Sequence, residues 1–404
     1  MTDFRLVSWQ ATIGLLLLAA GLASAATGSE PAPHKRHYVF THYMVCFAAQ
    51  GERVDDYQRE IRQAQAAGID GFALNCGAWH DEPHYPRRTK AIYQAAQELG
   101  TGFKLFFSVD FAGPNRHPPG EFESYVLDMV KTYGRHPSQL RIDGRTVVST
   151  FAGEQGIDWK KDILAPLKAA GYDVFLVPFF YPRPRVTELP DEATVRQHYR
   201  KWAEVVDGMF CFGGAGTELQ WKSIIEQKPE WVEIVTWNDF SESYVCPVAS
   251  SARSDDRSVP AWLRSRSSHA GYLELSRYYI EWFKTGRQPP LKDALFWFYR
   301  VHPKDTVAEK DRPVKALHGD VQDVLYVTAM TTAPAELRVT SGGTTSVRPL
   351  GAGIRHLRIP FSCGGQRFAL YRDGRDILSK EGEPIADHIQ HYDFFPTSGF
   401  AYAP

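Results

Sequence analysis

Strand-like and helix-like segments alternate through most of this chain, and that alternation constrains the fold more than any other feature. The strand candidates are Val39–Cys46, Gly71–Cys76, Phe103–Asp110, Thr146–Phe151, Val174–Tyr181, Gly208–Phe212 and Val232–Trp237. They are short apolar runs, rich in β-branched and aromatic residues, as buried strands are. Helical patterns lie between them. Val54–Ala67 sets Val54, Tyr57, Ile61 and Ala64 at helical spacing and stops at Gly68. Arg88–Leu99 repeats that design before Gly100. Further helices are expected near 120–134, 157–170, 191–204 and 217–227, and a long one at 268–285 ends at Gly286. Repeated βα units of about 30 residues imply parallel strands with helical crossovers. The expected fold is therefore α/β, a TIM-type (β/α) barrel. Seven strands are visible where a regular barrel has eight, and 212–232 holds one helix and no spare strand. The barrel is thus either irregular or hides an element.

Near residue 291 the pattern changes to short β-rich runs: Ala294–Arg300, Val324–Thr328, Glu336–Thr340, His356–Ile359 and Arg367–Tyr371. Turn signals such as Ser341-Gly342-Gly343 and Asp373-Gly374 separate several of them. They imply a C-terminal antiparallel β-sandwich, read first as a structural cap and second as a carbohydrate-binding module. Arg5, the Leu-rich run Ile13–Leu22 and Ala23-Ser24-Ala25 read as a cleaved secretory signal. Asp3 weakens the charge bias, so an uncleaved anchor is the other reading. The resulting division is a signal at 1–25, a flexible tail at 26–36, the barrel at 37–290 and the sandwich at 291–404. The mature protein is expected to be secreted or periplasmic. No later segment is long and apolar enough to span a bilayer, so no membrane partner is expected after cleavage. Residues 250–268, rich in Ser and Arg, form a long loop of the kind used as a lid or binding wall.

The formal net charge is −1 with no basic stripe, which removes electrostatic support for nucleic-acid binding. Five cysteines, Cys46, Cys76, Cys211, Cys246 and Cys363, match neither a zinc pattern nor a disulfide scaffold. Buried free thiols are the default; a Cys46–Cys76 bridge between neighbouring strand ends is the alternative. The fourteen histidines are scattered, without a His-Glu-x-x-His motif, and no Gly-x-Ser-x-Gly elbow occurs. No metal and no cofactor are expected.

The chemistry concentrates in Val232-Glu233-Ile234-Val235-Thr236-Trp237-Asn238-Asp239-Phe240-Ser241-Glu242-Ser243, where an apolar run ends in an amide and two carboxylates. The carboxyl ends of buried parallel strands are where such folds place their sites. Asp239 and Glu242 supply the paired acids that glycosidic hydrolysis needs, so a polysaccharide or oligosaccharide is the expected partner. A helix N-cap at Asp239 or Ser241 is the bland alternative. The chain contains only three asparagines, and two of them, Asn75 and Asn238, close strand-like runs. Asn238 is accordingly expected to matter more for turnover than for thermal stability. Parallel strand ends would bring His42, Tyr43, Asn75, Asp110, Trp237 and Asn238 together as substrate contacts, joined by Tyr244, with Trp237, Phe240 and Tyr244 as an apolar wall that raises the pKa of the proton donor. A core role for His42, a helix cap at Asp110 and a strand anchor at Asp70 are the competing readings.

Thr236-Trp237-Asn238-Asp239-Phe240-Ser241-Glu242-Ser243-Tyr244 resembles the Trp-Asn-Asp-aromatic-x-Glu-Ser signature of glycoside hydrolase family 71, the α-1,3-glucanase or mutanase family. Phe40-Thr41-His42-Tyr43-Met44-Val45, Ala67–Asn75, Phe103–Asp110, Phe298-Tyr299-Arg300 and Tyr371-Arg372-Asp373-Gly374 are similar too, and the resemblance covers roughly residues 37–395. It implies a barrel with a β-sandwich and hydrolysis of α-1,3-glucan with inversion. It maps the catalytic carboxylates onto Asp239 and Glu242 and adds Asp70 as a third acid. Asp239 is assigned as base and Glu242 as acid. The chain departs from the pattern at Asp207–Gly214, which lacks tryptophan, and the next βα unit is missing. That missing piece would line subsites, so another α-glycan, α-glucan or α-mannan, is the second reading. A non-catalytic carbohydrate-binding protein on the same scaffold is the third.

Overall fold

The computed structural model describes residues 37–111, 120–154, 156–180, 192–210, 218–239, 245, 268–311, 322–393 and 396–404. The expected signal, the N-terminal tail and nearly all of the 250–268 loop lie outside them. The chain divides into two compact units, one of residues 38–215 with 231–239 and one of 216–230 with 240–404.

In the first unit, β1 (Tyr38–Met44), α1 (Val54–Ala66), β2 (Gly71–Cys76), α2 (His84–Leu99), β3 (Lys104–Asp110), α3 (Glu121–Tyr133), β4 (Arg141–Ile142), β5 (Arg145–Phe151), α4 (Ala165–Ala169), β6 (Val174–Leu176) and α5 (Glu192–Trp202) follow in order, and β7 (Trp231–Ile234) comes later in the chain. Six strands run parallel in the order β7-β1-β2-β3-β5-β6. Among the described residues no ladder joins β6 to β7. Alternation along each strand sorts the side chains onto two faces. Phe40, Ala73, Phe106, Leu140 and Val147 form a buried cluster on one face, with Trp231 edge-on to Phe40 at 5.7 Å. The other face meets the helices: Tyr93 of α2 packs on Phe107 at 6.0 Å, and Phe72 packs on Tyr43 at 4.8 Å.

Several elements depart from the pattern for local reasons. The expected run Val174–Tyr181 is a regular strand only to Leu176, although the Val177 and Phe179 N–H groups still donate to the Val148 and Thr150 carbonyls of β5; Tyr181 lies outside the described residues. Residues 208–210 are not a regular strand, yet Asp207 and Phe210 N–H groups bond to the Leu176 and Pro178 carbonyls of the β6 segment. Helix α2 begins four residues before Arg88 and runs through Pro86. Its first turn has no intrahelical acceptors for N–H groups, so proline is tolerated there. The helix expected at 157–170 is a π-helical turn, Trp159–Leu164, leading into the short α4. The unexpected β4 pairs antiparallel with β5 across Asp143 and Gly144, both at positive φ.

The second unit holds α6 (Glu218–Gln227), α7 (Ala270–Thr285) and eight strands: β8 (Ala294–Tyr299), β9 (Val324–Thr331), β10 (Ala335–Ser341), β11 (Thr344–Leu350), β12 (Gly353–Pro360), β13 (Gly364–Arg372), β14 (Arg375–Ile385) and β15 (Thr397–Tyr402). They form two antiparallel sheets, β12-β9-β8-β15 and β11-β10-β13-β14. Both contribute to one core that includes Leu295, Trp297, Val327, Val339, Phe368 and Leu378, and Trp297 stacks on Phe368 at 4.5 Å. Two sheets sharing an inner core make a sandwich. Helix α7 lies against β15 at Gly271, whose N–H donates to Ser398 Oγ at 3.0 Å; a Cβ there would stand 2.7 Å from the Gly399 carbonyl oxygen.

Candidate active site

Beyond Ile234, the β7 chain continues beside β1 without a regular ladder. The Trp237 N–H still donates to the His42 carbonyl at 2.7 Å. The Asn238 side chain then takes over. Its Oδ1 accepts the Met44 N–H at 2.8 Å, and its Nδ2 donates to the Met44 carbonyl at 3.0 Å and the Phe47 carbonyl at 2.8 Å. One amide thus reproduces backbone pairing where the strand has ended. Trp237 goes the other way, into the helix layer, where its indole N–H donates to Glu60 Oε2 of α1 at 2.7 Å. Held by both neighbours, Asp239 is 7% exposed, and its N–H donates to Thr236 Oγ1 at 2.7 Å.

On the sheet face opposite the helices, polar groups gather at the carboxyl ends of the strands. Register pairs Met44 with Asn75 and Asn75 with Ser108. Asn75 Nδ2 donates to Asp110 Oδ2 at 3.2 Å, and His42 Nδ1 is hydrogen-bonded to Glu233 Oε1 at 2.8 Å. Cys46 senses both flanks of this group. Burial first, then the charge of Asp239, pushes its thiol up to about 12; Arg88 and a Tyr85 hydrogen bond oppose, and Asp110 adds to the rise. One thiol therefore lies within electrostatic reach of the acids that follow β3 and β7. Cys46, Cys76 and Cys363 are free, and Cys211 and Cys246 lie outside the described residues.

The structure brings together His42, Asn75, Asp110, Asn238 and Asp239 at the strand ends. Tyr43 and Trp237, expected as substrate contacts, face the helices instead: both are buried, and the Tyr43 O–H reaches Glu60 Oε1 at 3.3 Å. Asn238 is fully buried with its amide committed to backbone, so it positions the segment. Asp70 lies at the amino end of β2, five residues or roughly 17 Å of strand from Asn75. There it exchanges two bonds with β1: its N–H donates to the Val39 carbonyl at 2.7 Å and its Oδ2 accepts the Val39 N–H at 2.9 Å. Glu242 and Tyr244 fall outside the described residues. Sequence reasoning passed over Glu233, although a charge inside the apolar Val232-Glu233-Ile234 run marked it. It also missed Glu60, which the helical periodicity of α1 places on the buried face.

A fixed, nearly buried carboxylate with a second acid three residues on suits acid/base catalysis on a glycosidic bond. The sequence pattern of glycosyl hydrolase family 71 matches residues 35–215 and 213–403. The chain is 27% identical to a mutanase of Penicillium rubens over 427 residues, 94% of this chain and 92% of that protein. It is 26% identical to a glucan endo-1,3-alpha-glucosidase of Schizosaccharomyces pombe, covering 86% and 91% of the two chains. Among solved structures, a family 99 endo-alpha-mannosidase of Bacteroides thetaiotaomicron aligns with a TM-score of 0.44 and 13% identity over 62% of this chain and 99% of that one. With the family pattern spanning both compact units and the Asp239 segment, the chain belongs to glycosyl hydrolase family 71.

Proposed function

We propose that this glycoside hydrolase cleaves α-1,3-glucan with inversion, Asp239 acting as base on water and Glu242 as the acid that protonates the leaving oxygen. The observation that carries the reading is the seat of Asp239, a carboxylate at the carboxyl end of a parallel sheet, clamped through Asn238 and Trp237. The activity in the name of the Schizosaccharomyces pombe relative supports α-1,3-glucan as the substrate. His42, Asn75 and Asp110 are the groups proposed to meet sugar hydroxyls. The six parallel strands, with 207–210 running beside β6, support an irregular barrel as the catalytic domain and the sandwich as its C-terminal companion. Ile13–Leu22 with Ala23-Ser24-Ala25 supports export of the mature chain. Among the described residues no helix is long and apolar enough to cross a membrane.

The test is reducing-sugar release by the chain from residue 26 onward on insoluble α-1,3-glucan, α-1,4- and α-1,6-glucans and α-mannan. Release from α-1,3-glucan is expected, with D239N and E242Q each lowering turnover by at least about a hundredfold while remaining folded. Full activity in either variant removes that residue from the mechanism. Release from another glycan alone keeps the chemistry and moves the specificity. Binding without release from any glycan favours a carbohydrate-binding protein.

A further inference from the structure

Glu60 is fully buried in the middle of α1, and among the described residues no cation forms an ion pair with it. The charge of Asp56, one helical turn earlier and itself paired with Arg53 and Arg59, acts against its ionisation, and the charge of Glu60 in turn adds to the upward push on the Tyr57 phenol. Instead, three neutral donors surround its carboxyl: the Trp237 indole at 2.7 Å, the Tyr43 hydroxyl at 3.3 Å and the Gln50 backbone N–H. They come from β1, from the loop that follows it, and from the segment that carries Asp239. Burying an unpaired carboxyl is costly, and an apolar side chain would fill a helix–sheet interface without that cost. What an apolar side chain could not do is fix the three donors relative to one another.

We propose that Glu60 is the positioning residue for Asp239, setting its place at the strand ends by holding the Trp237 indole from behind the sheet. The inference rests on the reading of Asp239 as catalytic. Trp237 and Asn238 are adjacent and anchored on opposite sides, so the backbone between them has little freedom to tilt, and Asp239 follows directly. Burial pushes the Glu60 carboxyl up to about 7, against the pull of the Trp237, Tyr43 and Gln50 donors. The ionised form accepts from both side-chain donors. The neutral acid has a proton on one oxygen, so one of those two bonds weakens as the pH falls. A positioning role therefore carries its own pH dependence, which a space-filling role does not.

Three variants decide it, with folding checked by near-ultraviolet circular dichroism. W237F keeps a ring against Phe72 and deletes the donor; kcat should fall roughly tenfold to a hundredfold with KM within about twofold, the signature of misplaced catalytic geometry. E60L should lose at least as much. E60Q, whose carbonyl still accepts the indole N–H, should recover most of that loss, with the acid-side limb of its kcat profile moved to lower pH. If E60L does not fold, W237F and E60Q still decide the question. A wild type active on a glycan but matched in kcat by W237F at every pH overturns this inference alone. So does an E60Q profile with the wild-type acid limb. A wild type silent on every glycan overturns the functional reading together with this one.

Discussion

At Asn238, one side chain does what two rungs of a ladder would do. Replacing it with alanine leaves the Met44 N–H and the Met44 and Phe47 carbonyls without their partner at a partly buried site. Each buried group left unpaired costs about 1–3 kcal/mol, so N238A should lose about 2–4 kcal/mol after relaxation. Urea unfolding would read that loss directly, together with a drop in kcat. A stability unchanged within about 0.5 kcal/mol would return the amide to a purely kinetic role. Asp70 gives the opposite case. The family resemblance makes it a third acid, whereas its bonds tie β2 to the start of β1. D70A should lower stability by about 1–2 kcal/mol through the orphaned Val39 N–H and leave kcat per folded molecule close to wild type. A collapse of kcat at unchanged melting temperature would restore its catalytic role. The two asparagines that the sequence sets at strand ends do stand there, Asn75 in the β2 ladder beside Met44 and Asn238 bonded to the Met44 backbone. Which way a side chain turns after the last regular residue of a strand is set by tertiary partners, and no periodicity records them.

The elements were legible wherever a period of two or of 3.6 ran uninterrupted. Gly71–Cys76 is the strand the pattern predicts, and Gly100 and Gly286 end their helices in the left-handed region. The pattern failed where one residue overrode it. Pro86 hides the first turn of α2 among residues that read as a loop. Asp207 shows how tertiary pairing rescues a segment with no strand label. Its N–H donates to the Leu176 carbonyl at 2.9 Å and its Oδ2 accepts the Leu176 N–H at 2.9 Å, the same exchange that Asp70 makes with Val39. Both aspartates precede a glycine, Gly71 and Gly208. Asp-Gly after a helical segment is thus a strand-start device in this chain, visible in the sequence once its chemistry is known. In the sandwich, β11 and β14 escaped notice because they lie largely exposed on both faces and carry no alternation.

At the scale of the whole molecule, one compact unit carries a buried carboxyl and the other a half-buried one, perturbed in opposite directions, and their responses to pH should differ in sign. In the parallel-sheet unit, Glu60 is raised from an ordinary value of 4.5 to about 7, because burial disfavours its charge. The folded chain keeps its proton across that window while the unfolded chain releases it. Stability therefore declines as pH rises between those values and is flat above them. In the sandwich unit, Asp293 is lowered to about 2, chiefly by Arg372, whose guanidinium donates to Oδ1 at 2.8 Å and Oδ2 at 2.9 Å; the Thr332 N–H and hydroxyl add two more donors. Asp293 precedes β8, Thr332 follows β9 and Arg372 ends β13, so the group ties the two sheets together. Its contribution, roughly 2 kcal/mol at most, is present above its ordinary value near 3.8 and is lost as pH falls towards 2. Melting temperatures measured from pH 2 to 9 should thus fall at both ends for different reasons. E60Q should flatten the decline between pH 5 and 7 and leave the acid limb alone. D293N should lower stability at neutral pH, flatten the acid limb and leave the other untouched. If one substitution altered both limbs, the two carboxyls would be reporting a single cooperative transition and not the separate electrostatics of two cores.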